Sequence, residues 1–202
     1  MILHRGLFFL ISFLVLSHLI GCKDKISSDD EIKLRISKIE RLIKFKNFDS
    51  AKVSSDSLIF AFKLTQSVPS DSIKTKFFIK VLDKAIKFNR DSLVHKSAKE
   101  AFNLSNILND TVSKASVSWS YGNFYKNKAV MDSAYWYYYQ AFKYYQSVNL
   151  PIYTGRMLYN MANVQWRQGD YTGSEINTFK AISRLKPLKY SKGLYLCYNH
   201  LG

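Results

Sequence analysis

Only three prolines, two cysteines and 15 acidic residues occur in a chain of 202. With 47% hydrophobic and 22% charged residues and so little proline, the chain is too apolar for intrinsic disorder and long enough to bury a core, as one globular domain or a short repeat array. Two cysteines exclude a small disulfide-stapled scaffold. The shortage of acids against 30 Lys+Arg leaves a formal charge of +15, which predicts attraction to anionic surfaces without naming one. A P-loop, a dinucleotide-binding glycine motif, HExxH, GxSxG and paired-cysteine metal spacing are all missing, so no catalytic residue, metal site, cofactor or enzyme activity is expected. His4, His18, His95 and His200 have no Cys or His neighbour at ligand spacing and read as surface or packing residues.

Residues 1–21 carry what organisation the N-terminus has. His4 and Arg5 precede an apolar stretch from Leu7 to Leu16, shorter than the roughly 20 residues that span a bilayer and interrupted by Ser17 and His18. A short basic start, an apolar middle and a small-residue end are the anatomy of a secretory signal. Its last residues, Leu19-Ile20-Gly21-Cys22, resemble the lipobox of bacterial lipoproteins. The resemblance implies lipidation of Cys22, cleavage before it, and a location in the cell envelope held at a membrane by acyl chains, in the inner or outer membrane. The mature chain would carry 29 basic and 15 acidic residues, so the basic excess belongs to its body, where anionic lipid headgroups or acidic partner segments are the expected counterparts. Nucleic acid is not expected to meet an exported protein. Residues 22–31, with Ser27, Ser28, Asp29, Asp30 and one apolar residue, Ile26, read as a flexible tether. Cys197 then has no disulfide partner and reads as a small buried hydrophobe.

From Ile32 onward the apolar residues fall at helical spacing, as in Ile32, Ile36, Ile39 and Ile43, and no stretch sustains alternation. The chain is predicted to be all-α. It also repeats: Gly122, Ala162 and Gly202 are 40 apart, as are Ala134 and Ser174, and Ala141 and Ala181. Pro69, Pro151 and Pro187 lie between helical stretches and separate one helix pair from the next. Asn47, Asn89, Asn127 and Gly169 mark the turn inside each pair, because Asn and Gly tolerate the left-handed conformation after a helix end. Asp49, Asp91, Asp132 and Asp170 follow, placed to cap the second helix or to meet its positive dipole end. The expected fold is an α-solenoid of antiparallel helix pairs, about four repeats and the start of a fifth.

Leu158-Tyr159-Asn160-Met161-Ala162-Asn163-Val164 followed by Gln168-Gly169-Asp170-Tyr171, and Tyr121-Gly122-Asn123-Phe124-Tyr125 followed by Ala134, Tyr138 and Ala141, resemble the tetratricopeptide repeat. The resemblance is clear over 111–188 and degenerate over 32–110, where Leu82 and Val94 replace small residues; Ser174 and Thr178 also depart from it. Tyr198-Asn199-His200-Leu201-Gly202 is similar to the opening of a further repeat, so 189–202 read as the first helix of an incomplete fifth and the protein is expected to continue past Gly202. Small residues at 122, 134 and 162 should let helices approach closely, with Tyr125 and Tyr138 filling the space they leave.

In the fourth repeat Arg156, Tyr159, Asn163, Trp166 and Arg167 share one helix face, while Leu158, Met161 and Ala162 lie on another. Trp119, Asn123 and Lys126 form a similar stripe one repeat earlier. By resemblance, first helices line the groove that takes a protein or peptide segment, so these eight residues are the candidate contacts, against the alternative that they are solvated or packed on neighbouring helices. Tyr135-Trp136-Tyr137-Tyr138-Tyr139 must point in every direction around a helix and serve either inter-repeat packing or, through Tyr135 and Tyr139, a glycan platform. Three functions remain open: a membrane-anchored protein-interaction scaffold, the sensory array of a longer signalling regulator of histidine-kinase or DNA-binding type, and a glycan-binding lipoprotein.

Overall fold

A computed structural model describes residues 28–44 and 51–202. The segment 1–21, Cys22, Asn47 and Asp49 lie outside the described residues. The chain divides into two units, Met1–Leu34 and Arg35–Gly202, the first described only from Ser28. Among the described residues there are nine helices and no strand: α1 (Ser28–Lys44), α2 (Ala51–Gln66), α3 (Asp71–Lys87), α4 (Asp91–Ile107), α5 (Thr111–Asn127), α6 (Met131–Ser147), α7 (Pro151–Arg167), α8 (Tyr171–Leu185) and α9 (Ser191–Leu201). Because α1 already begins at Ser28, the last four residues of the segment expected to be a tether, 22–31, are helical. No helix among the described residues is long and apolar enough to cross a membrane.

From α2 to α9 the helices start 20 residues apart, half the predicted repeat. One turn makes every joint from α3 on. The residues at 89, 109, 129, 149, 169 and 189 are left-handed, with φ of 53°, 51°, 58°, 51°, 81° and 51°. The amide after each donates back five residues, from Arg90 to Ala85 O at 2.9 Å through to Tyr190 to Leu185 O at 3.4 Å, which is the Schellman bond that closes a helix end. Asn89 and Gly169 hold this place as expected, but Asn127 does not: it is the last residue of α5, and Ala129 takes the left-handed position two residues on. Asn109, Asn149 and Lys189 do the same between pairs. Pro151 opens α7 at its first turn, where no N–H is needed. Pro187 falls where the last turn of α8 would form and lacks the donor, so α8 is two residues shorter than α7.

Caps are distributed differently from the sequence expectation. Asp170 accepts from Gly173 N at 2.9 Å, but Asp91 and Asp132 stand inside the first turns of α4 and α6, where they meet the positive dipole end as expected and cap nothing. Instead they join repeats. Lys128 Nζ meets Asp91 at 2.7 Å, and Gln168 Nε2 donates to Asp132 at 2.7 Å, each from the turn of the next repeat. The other caps are Ser70, which accepts from Ile73 N at 3.4 Å, and Asp110, which accepts from Ser113 N at 3.0 Å and Ser113 Oγ at 2.6 Å. Desolvation opposes the Asp110 carboxylate, but these bonds, the Val112 amide and the Lys76 charge outweigh it and hold its pKa below the ordinary value.

From α2 on the helices pack in consecutive order, with the tightest association in the pairs α3/α4, α5/α6 and α7/α8, and first helices also touch first helices, α3 on α5 and α7 on α9. The core is serial. One cluster runs from Ile39 through Val81, Leu82, Ala98 and Val117; a second joins Ala134, Tyr138, Tyr145, Met157 and Met161; a third joins Leu158, Ala181, Leu185 and Cys197. Each helix pair therefore buries its apolar face only against its neighbours. Ala134, Ala141, Ala162 and Ala181 are fully buried, and Gly122 lies under the Tyr138 ring: a Cβ there would sit 2.5 Å from Cε1. Gly155 and Gly193 play the same part against Leu185. Ser174 and Thr178, buried where the repeat pattern prefers apolar residues, are satisfied, Thr178 Oγ1 by Ser174 O at 2.8 Å and Ser174 Oγ by His200 Nε2 at 2.8 Å.

Candidate functional site

The first helices present side chains on one continuous face, and Trp119 of α5 stands at its centre. Toward α3, Trp119 shares a hollow of about 340 Å³ with Ile79, Asp83, Ile86, Ser120 and Asn123. Toward α7 and α9 it shares a smaller one, about 90 Å³, with Arg156, Tyr159, Asn160, Lys192 and Leu196. The Arg156 guanidinium lies 4.2 Å from the Trp119 ring centroid and 5.8 Å from that of Tyr153. Stacking of a cation on these faces holds Trp119 and Arg156 as one unit. Behind it Tyr153 stacks on Tyr145 at 4.8 Å, and the Tyr145 hydroxyl is 3.2 Å from Ser116 Oγ. The side chains are thus held before any partner arrives.

The charge on this face is mixed. Asp83 accepts from Ser120 Oγ at 2.5 Å; desolvation lifts its carboxyl above the ordinary pKa while the Ser120 bond opposes the shift. Lys126 is shifted the other way, downward, by desolvation and by the neighbouring Arg167 charge. Two cations brought near each other in partly desolvated surroundings favour an anionic partner over a neutral one.

Of the eight residues expected to contact a partner, Trp119, Arg156 and Tyr159 come together. Asn123 lines the larger hollow but also accepts the buried Tyr138 hydroxyl at 2.7 Å, so part of its hydrogen-bonding capacity belongs to the core. Lys126 and Arg167 neighbour each other at the far end of the stripe. Asn163 is half-buried and lines neither hollow. Trp166, 54% exposed, meets the His200 ring edge-on at 6.4 Å, and Tyr159 meets the same ring at 5.7 Å. The residues that sequence reasoning passed over, Ile79, Asp83 and Ile86, stand 40 positions before Trp119, Asn123 and Lys126. Counting back one repeat would have found them.

The aromatic block of α6 disperses as a helix requires. Tyr138 is fully buried, Tyr137 stacks on Tyr125 at 5.3 Å and on Tyr121 at 5.0 Å, and Trp136 is exposed. Burial and the neighbouring phenols push the Tyr121 hydroxyl up to about 12. Tyr135 and Tyr139 border a shallow hollow whose polar groups already bond one another, Gln165 to Asp170 and Gln168 to Asp132, each at 2.7 Å. Cys197 is fully buried, and desolvation pushes its thiol up to about 11.

No family model matches the sequence, and no curated protein matches it significantly. Among solved structures the chain is similar to that described as "Crystal structure of BtubC (BKLC) from P. vanneervenii", with a TM-score of 0.59 and 11% identity over 100% of this chain and 85% of that one. The chain is an all-α helical-repeat solenoid. At that identity the likeness extends to the fold alone.

Proposed function

We propose that the chain is a non-catalytic scaffold of tetratricopeptide type, held at a bacterial membrane by lipid on Cys22, whose first-helix face receives an acidic segment of a partner protein. The Trp119–Arg156 pair carries the reading. It is an aromatic and cationic anchor, preassembled by Tyr153, at the junction of two hollows that extend the face over α3, α5, α7 and α9. Anchors of this composition concentrate binding energy at the centre of interfaces. The excess of 29 basic over 15 acidic residues after Gly21 supports an acidic partner, as does the proximity of Lys126 and Arg167.

Peptide display on the purified chain tests the face. Peptides enriched by it should be acidic and should lose about tenfold or more in affinity for Trp119→Ala or Arg156→Ala. Enriched peptides that bind both variants as well as the parent would refute the site. Attachment is tested separately by feeding expressing bacteria an alkyne-tagged palmitate: label should enter the parent protein and be lost in Cys22→Ser. A parent that takes up no label has no lipid anchor, whatever its groove binds.

A further inference from the structure

A second cavity opens on the other side of the array, between the second helices α4 and α6, which both pack against α5. It measures about 330 Å³, within the range of small-molecule sites. Phe102, Tyr121, Trp136, Tyr137 and Tyr144 form its walls, and Ala98, Val117 and Ser118 its floor. Lys99, Asn103 and Gln140 complete the lining. The walls present rings that are held in place: Tyr137 is stacked on Tyr121 and Tyr125, and Trp136 meets Tyr137 edge-on at 4.7 Å.

Comparison with the neighbouring repeats shows what sets the floor of this cleft. One repeat before Ser118 stands Phe78, which packs on Phe62 at 5.2 Å, and one repeat after it stands Leu158, buried in a cluster with Phe142. Phe62, Phe102 and Phe142 are themselves 40 apart. At both neighbouring junctions a large side chain therefore packs beside this phenylalanine; between α4 and α6 the place is taken by Ser118, whose hydroxyl turns back to Lys114 O at 2.9 Å. A hollow also opens one repeat earlier, between α2 and α4, but Lys63, Arg90, Asp91 and Lys96 line it beside Phe62, whereas the cleft between α4 and α6 is walled by aromatic rings.

The geometry points to a binding site for a small aromatic carboxylate: a flat ring lying against Tyr137 and Trp136 over the Ser118 floor, with its carboxylate at Lys99. Flat faces favour a planar occupant, since offset-stacked and edge-on contacts are both available to it. The charge follows from the lining, in which the one formal charge is the Lys99 ammonium and no carboxylate opposes it. Asn103 and Gln140 supply amide donors beside it.

The test is isothermal titration of the purified chain with 2-naphthoate, with 2-naphthylmethanol as its neutral analogue and methyl glucoside as an aliphatic polyol. The carboxylate should bind with a Kd of about 0.1 to 1 mM, as its size allows. Ser118→Leu, which places at the floor the residue that the next repeat carries, should weaken it at least about tenfold. Lys99→Gln, a change at an exposed position, should weaken the carboxylate about fivefold and leave the alcohol unchanged. Helical circular dichroism on each variant separates loss of the site from loss of the fold. Absence of saturation by 2-naphthoate up to about 10 mM overturns the proposal, as does equal binding by Lys99→Gln, or methyl glucoside binding more tightly than the carboxylate.

Discussion

Gly122→Leu should lower stability by about 3 kcal/mol, at the upper end of what overpacking costs, because even a Cβ at this place would meet the ring of the fully buried Tyr138. Tyr138 cannot swing aside, since its hydroxyl is tied to Asn123 at 2.7 Å. Tyr138→Ala should be as costly for the opposite reason, about 3 to 5 kcal/mol for a cavity and a lost hydrogen bond. The two changes together should be much less harmful than their sum. One repeat earlier the same two positions are Leu82 and Ala98, both fully buried, so the large and small partners are exchanged there. The double variant Gly122→Leu with Tyr138→Ala reproduces that arrangement, and a coupling energy of about 1 to 3 kcal/mol is expected from a double-mutant cycle by chemical denaturation. Strict additivity would mean that the two positions do not share one space.

Leu185→Ala should cost about 3 kcal/mol and should act mainly on the end of the array. Leu185 is fully buried, and its methyl groups lie against two glycines, Gly155 of α7 and Gly193 of α9, with Cys197 and Leu158 in the same cluster. Truncation removes the side chain that fills the space between those helices and leaves α9 held chiefly by Leu194, Tyr190 and the His200–Ser174 contact. Since repeats are stabilised by their neighbours, amide exchange should accelerate in α9 well before it does in α5. Equal loss of protection in both helices would show that the array unfolds as one cooperative unit.

The pairing of helices and the 40-residue spacing were legible because small residues, prolines and asparagines recur at fixed intervals. The shorter interval of 20 was hidden. Ala129 and Lys189 adopt the left-handed conformation with no residue preference to announce it, driven by the Schellman bonds to Tyr125 O and Leu185 O. Asp91 and Asp132 look like caps in one dimension, yet their partners, Lys128 and Gln168, come from the next repeat. Leu82 looked like decay of the pattern because its compensation, Ala98, lies sixteen residues away on another helix. On the first-helix face Trp119 and Arg156 were both visible, but their stacking depends on how far one repeat turns against the next, which residue spacing alone does not encode. Asp83 was missed because the earlier repeats share few residues with the later ones while keeping their 40-residue register.

Since from α3 on the joint inside a pair and the joint between pairs share one backbone geometry, these joints do not record where a unit begins. A gene for such a protein can be lengthened or shortened in steps of forty codons with every new junction already of a kind the chain makes. What polices such duplications is side-chain fit between pairs: Tyr138 clusters with Met157 and Met161 of the pair that follows it, and Ala98 with Val117 and Phe124 of the pair that follows its own. Length is therefore cheap for this architecture to change, and the order of its units is not.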